Sequence, residues 1–330
     1  MKQIIKRGSF FTLMFMLLGC LSLYAADNDL ITKQITINLQ EAGTLPDRIG
    51  SSRKYNITNL KIIGEINGTD LRMIREMAGR NDSGNSTDGK LSVLDLSEAK
   101  IVEGGDWYYY NNYDYQYHTS NDVIGDYAFE GCSGLTSLTL PAGITEIGDC
   151  AFEGCSGLTS LTLPAGITSI GSYAFKGCSG LTSLTLPDGI TEIGTSAFEG
   201  CSGLTSLTLP ASITGIGYGA FYGCSGLTSI YVYAEKVPKI DRYAFERFDA
   251  KKCTLYVPMG TYDDYWLSDF GYYFENIVEF DATGIDKTTI STDVEEVTRY
   301  SVNGQRLSAP TKGLNIVKYS DGSVKKVVVR

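Results

Sequence analysis

The chain has 330 residues, of which 38 are acidic and 28 basic, so its net charge is −10. A charge this negative repels phosphate backbones and anionic lipids, which argues against a nucleic-acid partner. The apolar fraction of 43% is typical of a folded protein rather than a disordered one.

The N-terminal 25 residues have the features of a signal peptide. Three basic residues precede an almost wholly apolar run over 9–18, and small residues follow. Cleavage after Ala25 removes three basic residues and no acidic one, which leaves a net charge of −13. Alternatively, Leu17-Leu18-Gly19-Cys20 is similar to a lipobox, which would put a lipid anchor on Cys20. The apolar residues after Cys20 favour ordinary cleavage. We expect an exported chain, secreted or at the cell surface, with no transmembrane span after cleavage.

Residues 26–90 are predicted to form an N-terminal cap of strands and one helix. Gln34–Leu39 alternates apolar and polar residues as a half-buried strand does, and Leu60–Ile66 has the composition of another. Apolar residues at helical spacing predict a helix over 70–78 behind Asp70 as its N-cap. Asn81–Gly89 lacks apolar residues and is predicted to be a loop.

Four tandem segments in the centre of the chain have nearly the same 23 residues. Each begins LTSLTLP, continues with an isoleucine-rich stretch and ends AFxGCSG. Repeats of this length predict a solenoid, whose units stack on one continuous core. We expect the solenoid to cover 91–258 and to be β-rich with short helical or turn segments, with parallel strands on one face. The four segments are Leu135–Gly157, Leu158–Gly180, Leu181–Gly203 and Leu204–Gly226.

Alternation within the strand predicts which repeat positions face the core. Leu138 and Leu140 point inward, while Thr139 between them points outward. One phenylalanine and one cysteine per repeat are predicted to form buried structural ladders. Successive cysteines would point the same way, so we expect free thiols rather than disulfides. Cys150, at a variable repeat position, is expected to be exposed. The ladder residues are Phe129, Phe152, Phe175, Phe198 and Phe221, with Cys132, Cys155, Cys178, Cys201 and Cys224.

The repeat LTSLTLPxxITxIGxxAFxGCSG resembles the BspA-type leucine-rich repeat, found in surface and secreted proteins of Gram-negative bacteria. The resemblance is strong over Leu91–Pro258 and looser in the two caps. It implies a leucine-rich repeat solenoid with roles in adhesion or protein binding. The family has no fixed motif of functional residues, so the resemblance assigns none to this chain.

An aromatic insertion at 102–122 interrupts the first coil. Insertions in solenoids form loops on one face, often the binding face. Aromatic residues of this kind are favoured at recognition sites and could anchor a protein or stack on sugar rings. A structural cover over the side of the solenoid is the competing interpretation. The candidate binding residues are Trp107, Tyr108, Tyr109, Tyr110, Tyr113, Tyr115 and Tyr117.

The outward threonines of the strands form a second candidate binding surface. They could hold a repetitive ligand such as a glycan or ice, although strand propensity and solubility alone would also explain them. These residues are Thr136, Thr139, Thr159, Thr162, Thr182, Thr185, Thr205 and Thr208.

The C-terminal part is predicted to contain three further segments. Residues 259–281 are dense in aromatic side chains and would form a cap over the end of the core. Residues 282–298 are polar and would form a linker. Residues 299–330 contain an Asn303-Gly304 turn between strand-like runs and would form a small β module. This tail resembles sorting or anchoring tails of exported bacterial proteins.

Catalytic and metal chemistry find no support in the sequence. The single histidine, His118, lies in the aromatic insertion, and no cysteine–histidine cluster of zinc-binding spacing occurs. We expect no cofactor, no metal and no enzyme activity. The predicted function is that of an exported adhesin or protein-interaction scaffold for an extracellular or host protein, and a monomer. The alternative is a glycan-binding surface protein that uses the aromatic insertion.

Overall fold

The computed structural model describes residues 29–111, 113, 115–249 and 251–282, together with strand segments between 296 and 329. The signal peptide predicted over 1–25 lies outside the described residues. So does most of the linker predicted over 282–298. Its last residues belong to a strand that begins at Glu296, so the tail module starts before the predicted boundary of 299.

The N-terminal cap contains parallel strands and two helices. Helix α1 was not predicted; Pro46 lies in its first turn, where proline is favoured. Helix α2 begins at Gly68, so Asp70 is its third residue and Asn67 is the N-cap. The buried Asp70 carboxylate accepts backbone N–H bonds from Gly43, Leu45 and Asn67 at 2.5–3.0 Å. The elements are β1 (Ile35–Asn38), α1 (Leu45–Ile49), β2 (Asn59–Ile66) and α2 (Gly68–Met77).

The first coil contains the insertion as an antiparallel β-hairpin. Its strand β3 pairs in parallel with β2, and the hairpin strands β4 and β5 pair with each other. The elements are β3 (Val93–Ile101), β4 (Gly104–Tyr110), β5 (Gln116–Thr119) and β6 (Val123–Ile124).

The repeats form a solenoid with two ladders of parallel strands. The long ladder continues from β1, β2 and β3 through the LTSLTL strands, with partners such as Ser137 and Ser160 lying 23 residues apart. Between the strands Ser160–Thr162 and Ser183–Thr185, the Thr182 N–H donates to the Thr159 carbonyl at 3.3 Å, and this bond joins the two halves of the long ladder. The remaining strands of the long ladder are β7 (Ser137–Thr139), β9 (Ser160–Thr162), β11 (Ser183–Thr185), β13 (Ser206–Leu209), β15 (Ser229–Val232) and β17 (Thr254–Pro258).

The short ladder is a second sheet that the sequence analysis did not anticipate. Its strands have two residues each, so they carry no alternation that a sequence pattern could reveal. The isoleucines of these strands, such as Ile147 and Ile170, pair across coils and are buried. The short ladder consists of β6 followed by β8 (Glu146–Ile147), β10 (Ser169–Ile170), β12 (Glu192–Ile193), β14 (Gly215–Ile216) and β16 (Lys239–Ile240).

The core between the ladders contains a continuous stack of phenylalanine rings. Neighbouring rings have centroids 5.1–5.4 Å apart and planes within 8° of parallel. Leucines of the long ladder and isoleucines of the short ladder enclose the stack. The stack consists of Phe129, Phe152, Phe175, Phe198, Phe221 and Phe245, all of them buried.

The cysteines of the repeat lie beside the ring stack as buried free thiols. The Cys155 thiol donates to the Phe129 carbonyl at 3.1 Å, and the later coils repeat this contact. The AFxG turns also bond from coil to coil, since Phe152 N–H donates to the Ala174 carbonyl at 2.7 Å. Each coil is therefore hydrogen-bonded to the next through both ladders and through this turn.

Cys150 is buried, so the prediction that it is exposed was wrong. Its backbone is left-handed, with φ of 54°, as it is at the equivalent Tyr127, Tyr173, Ser196 and Gly219. The backbone alone does not bury the side chain, since Tyr173 has the same conformation and is exposed; the short Cys150 side chain stays against the solenoid, where the thiol meets Tyr127 and Glu153. Mainly because of burial, and also because of a hydrogen bond to Glu153, the pKa of the Cys150 thiol is raised to about 12.

The C-terminal cap closes the core with aromatic side chains on two short helices. Phe270 and Phe274 contact the last ring of the stack, and the Tyr265 hydroxyl donates to the Ala234 carbonyl at 2.6 Å. Strand β18 completes the long ladder by pairing with β17. The elements are α3 (Tyr262–Trp266), α4 (Asp269–Tyr273) and β18 (Ile277–Phe280).

The tail forms a four-stranded antiparallel sheet of order β20-β19-β21-β22. The turn predicted at Asn303-Gly304 lies outside the described residues, although β19 and β20 pair on either side of it. No helix in the described part of the chain has the length and apolar character needed to cross a bilayer. The strands are β19 (Glu296–Ser301), β20 (Arg306–Leu307), β21 (Gly313–Tyr319) and β22 (Val324–Val329).

Candidate functional site

The hairpin of the aromatic insertion is fixed against helix α2 of the N-terminal cap. Asp106 makes two of these contacts: its carboxylate pairs with Arg72 at 2.7 Å, and its backbone N–H donates to the Thr69 hydroxyl at 2.9 Å. The Arg72 guanidinium also lies 5.6 Å from the ring centroid of the half-buried Trp107. Trp107 therefore helps to attach the hairpin.

Tyr108 lies in the protein core, which removes it from the candidate binding residues. Its hydroxyl donates to the Asp126 carbonyl at 2.8 Å, and burial raises its pKa. Because successive residues of a strand point to opposite sides, the three consecutive tyrosines cannot all face a ligand. Tyr108 is the residue that faces the first coil.

A buried arginine supports the aromatic rings at the base of the hairpin. The Arg75 guanidinium lies 4.8 Å from the Tyr109 ring centroid and donates to the Tyr127 carbonyl. Its Nη2 lies 3.8 Å from Glu130, whose pKa is raised by burial and lowered in part by Arg75. Tyr109 stacks on Tyr127 at 4.8 Å, and Tyr117 contacts both rings. These contacts give the hairpin a rigid base, and Tyr109 and Tyr117 are only half-exposed.

The tip of the hairpin presents the remaining tyrosines to solvent. Tyr110, Tyr113 and Tyr115 are 37%, 90% and 67% exposed. The Asn111 side-chain oxygen accepts the backbone N–H groups of Tyr113 and Tyr115, both at 3.1 Å, which fixes the turn. His118 is also exposed, on strand β5. The insertion thus combines a structural cover at its base with an accessible aromatic surface at its tip.

The outward hydroxyls of the long ladder divide into two groups. The Thr136 hydroxyl donates to the Ser92 carbonyl at 3.0 Å, and Thr159, Thr182 and Thr205 repeat this bond to the preceding coil. These four side chains stabilise the coil-to-coil contact. Within the described residues, the hydroxyls of the other group have no hydrogen bond to the protein, which leaves them available to a ligand. That group is Thr139, Thr162, Thr185 and Thr208, together with the serines of the same strands.

Sequence reasoning missed an aromatic cluster at the C-terminal end of the long ladder. Tyr231 and Tyr256 follow Thr208 at the same outward register, and their rings stack at 4.4 Å. Phe280 packs edge-on against Tyr231 at 5.9 Å and against Tyr233 at 5.1 Å. The replacement of the outward threonine by tyrosine in two successive strands was the available signal.

Cysteine, histidine and carboxylate side chains are the groups that could bind a metal ion or act as nucleophiles. No group of three or more histidine, cysteine, aspartate or glutamate side chains within the described residues could hold a metal ion. Burial raises the pKa of the Cys132 thiol to about 11 and that of Cys155 well above its ordinary value. Thiols in this environment stay protonated at neutral pH and are poor nucleophiles.

The repeats match a known family. The profile described as "BspA type Leucine rich repeat region" matches residues 122–254 in six copies. None of the curated proteins matches the chain significantly.

Several solved structures are similar to parts of the chain. A leucine-rich repeat protein from Bacteroides ovatus ATCC 8483 is 32% identical over 43% of this chain and 38% of its own, with a TM-score of 0.32. The leucine-rich repeat protein of T. pallidum is 28% identical over 48% of this chain and 62% of its own, with a TM-score of 0.34. A leucine rich cell surface protein from Faecalibacterium prausnitzii A2-165 is 19% identical over 69% of this chain and 65% of its own, with a TM-score of 0.31. The chain therefore spans less than two thirds of the length of each of these proteins.

Proposed function

We propose that the protein is an exported, non-catalytic adhesin or interaction scaffold, a role supported by the match of residues 122–254 to the BspA-type leucine-rich repeat family. It presents the solenoid and its insertion to an extracellular or host protein. Leucine-rich repeat proteins generally bind other proteins. The continuous core and the hydrogen bonds between coils make the solenoid a rigid support for such a surface.

The exposed tip of the hairpin is the observation that supports this proposal most directly. Tyr110, Tyr113 and Tyr115 face solvent, while Arg75 and Asp106 fix the base of the same hairpin. Tyrosines on a rigid support lose little conformational entropy on binding and bury a large area, as recognition hot spots do.

Export and processing are part of the proposal. The basic and apolar N-terminal segment would direct the chain out of the cytoplasm, with cleavage after Ala25 or, as the alternative, lipid attachment at Cys20. The C-terminal module would serve in sorting or anchoring. Mass spectrometry of the N-terminus of the exported chain distinguishes the two processing routes.

Substitution at the tip tests the binding role. We compare the Tyr113→Ala/Tyr115→Ala double variant with Tyr272→Ala, which removes an 82% exposed tyrosine from the C-terminal cap. Capture of proteins from extracellular matrix, serum and mucus should fall about tenfold or more in the double variant only, since hot-spot truncations typically cost 2 kcal/mol or more. Unchanged capture would refute a role for the tip.

A glycan ligand at the tip is the second candidate, because exposed tyrosine rings can also stack on sugars. In that case the double variant would keep protein capture and lose retention on a glycan array. Turnover of an ester, peptide or glycoside by the purified chain would contradict the non-catalytic role. Light scattering tests the expected monomer.

A further inference from the structure

The aromatic cluster at the C-terminal end of the long ladder forms a surface separate from the hairpin. At the outward position that holds Thr139, Thr162, Thr185 and Thr208 in earlier strands, β15 and β17 carry tyrosine. Tyr231, Tyr233, Tyr256 and Phe280 are all half-exposed, and their rings contact one another. The core does not need these rings, because inward residues of the same strands already fill it.

Within the described residues only one ring, that of Tyr256, stacks face to face on Tyr231, and we call the opposite face of the Tyr231 ring its open face. Tyr256 covers the other face, with the two planes 7° apart. Since adjacent parallel strands lie about 4.8 Å apart, a stack along the ladder directs the open face back toward Thr208. Phe280 belongs to β18, which pairs with β17, so it lies on the Tyr256 side of Tyr231 and not on the Thr208 side. Because threonine is much smaller than tyrosine, the Tyr231 ring extends further from the sheet than the Thr208 side chain on the neighbouring strand.

Two half-exposed hydroxyls lie on the strand next to Tyr231. The outward side chains of β13 are Ser206 and Thr208, and neither has a hydrogen bond to the described part of the protein. We call the open face of Tyr231, together with Ser206 and Thr208, the Tyr231 site. It combines one aromatic face with hydroxyl groups that can both donate and accept hydrogen bonds.

The outward strand positions around the Tyr231 site carry no formal charge. The outward positions of β9, β11, β13, β15 and β17 are all serine, threonine or tyrosine, although the whole chain has a net charge of −10. Protein interfaces usually have a polar rim with charged side chains, and nucleic acids require cations. An uncharged ring with hydroxyls suits a neutral polyhydroxylated ligand instead.

We propose that the Tyr231 site binds a pyranose unit of a neutral glycan. The apolar C–H face of the sugar packs on the open face of the Tyr231 ring, where the negative face of the aromatic quadrupole meets the C–H groups. The sugar hydroxyls exchange hydrogen bonds with Ser206 and Thr208. The glycan continues over the hydroxyls of the preceding strands. This site is independent of the hairpin tip and of the protein partner proposed for it.

Affinity electrophoresis of the full chain tests the proposal with neutral β-glucan, xylan, mannan and galactan in the gel. At least one of these should retard the wild-type protein. Tyr231→Ala should weaken the interaction about tenfold, whereas Tyr231→Phe should change it by less than about threefold because the ring is retained. Burial and the neighbouring Tyr256 raise the pKa of Tyr231. Binding should therefore be constant from about pH 5 to about pH 9, between the ordinary pKa values of carboxyl and phenol groups.

A second variant keeps the test valid if loss of the ring disturbs the fold. Thr208→Lys places a long side chain in front of the ring while both rings of the Tyr231–Tyr256 stack are kept, and it should abolish retardation. Tyr272→Ala is the matched control and should behave as wild type, and near-ultraviolet circular dichroism checks the fold of each variant. The Tyr113→Ala/Tyr115→Ala variant should also keep its retardation, which separates this site from the hairpin tip.

Three results would overturn the proposal. The first is that none of the four polysaccharides retards the wild-type chain. The second is retardation that survives both Tyr231→Ala and Thr208→Lys. The third is retardation by heparin or polygalacturonate alone, which would indicate a charge effect. Loss of protein capture in Thr208→Lys without any sugar binding would reassign the surface to a protein.

Discussion

The phenylalanine stack allows a quantitative prediction about the stability of the solenoid. Phe175 is completely buried, with ring centroids 5.1 Å from Phe152 and 5.2 Å from Phe198. Truncation of a buried phenylalanine to alanine costs about 3–5 kcal/mol. Each ring contact contributes about 0.5–1.5 kcal/mol of this beyond area burial. Because folded domains are stable by about 5–15 kcal/mol, Phe175→Ala should remove a large part of the stability.

A double-mutant cycle isolates the ring contact from the loss of buried area. Phe175→Leu and Phe198→Leu are adjacent in the stack and should couple by about 0.5–1.5 kcal/mol. Phe152→Leu and Phe221→Leu are separated by two rings, roughly 15 Å, and share no stacking partner, so they should be additive within about 0.5 kcal/mol. Leucine is chosen because it keeps most of the volume and so keeps the coils folded.

Urea unfolding followed by far-ultraviolet circular dichroism gives the free energies of unfolding. Hydrogen exchange for each coil shows whether the array unfolds as one unit, since repeat arrays can lose cooperativity. Equal coupling in the adjacent and separated pairs would refute the reasoning, because the energy would then not depend on direct ring contact.

Three further predictions concern close packing, thiol reactivity and the attachment of the hairpin. Gly171→Ala should lower the free energy of unfolding by about 1–3 kcal/mol, because its Cβ would lie 2.6 Å from the carbonyl carbon of Gly148 and 2.7 Å from the backbone nitrogen of Asp149. At Gly143 the nearest atom would be 3.6 Å away, and alanine there should cost less than about 0.5 kcal/mol. Equal urea midpoints for the two variants would contradict this. Burial raises the pKa of the Cys132 thiol to about 11, so the reactive thiolate is scarce at pH 8. Iodoacetamide should therefore label Cys132 only after unfolding, as detected by mass spectrometry. Rapid labelling of the native protein would contradict this prediction. Arg75→Ala should lower the free energy of unfolding by about 3–5 kcal/mol and expose the hairpin to proteolysis. Arg72→Ala removes a more exposed ion pair and should lower it by at most about 1 kcal/mol. Similar protease resistance in the two variants would argue against a buried anchor at Arg75.

The fold class could be predicted from the sequence because the same environment recurs in every coil. A leucine such as Leu138 and a ring such as Phe152 meet the same neighbours again one coil later, so one pattern is repeated several times. Each copy supports the same interpretation, which a single strand of three residues could not do.

Local features without a pattern could not be predicted in this way. The strand Glu146–Ile147 is too short to show alternation. A proline such as Pro46 is common both at the end of an extended segment and in the first turn of a helix, so its presence did not indicate which of the two would form. Cys150 has a left-handed backbone that glycine, cysteine, serine and tyrosine all adopt at this repeat position, and its burial depends on contacts with neighbouring coils. Its residue type therefore carried no sign of the conformation.

The candidate surfaces were predictable by location but not by side chain. The insertion was recognised as aromatic, yet only the pairing of β4 with β5 shows that Tyr108 is buried and Tyr113 is exposed. Thr136 and Thr139 are both outward threonines of one LTSLTL segment, although only the hydroxyl of Thr136 bonds to the preceding coil. The open face of Tyr231 depends on contacts between strands that are 23 or more residues apart.

The hydrogen bonds that join equivalent positions of successive coils also have an evolutionary consequence. A whole coil can be lost or duplicated in the gene without changing the environment of any residue, because each new neighbour is the same as the old one. Each such event would move the hairpin tip and the Tyr231 site apart or together by about 4.8 Å, the spacing of parallel strands. The number of copies thus sets the distance between two recognition surfaces, as the length of a spacer does in a bivalent ligand.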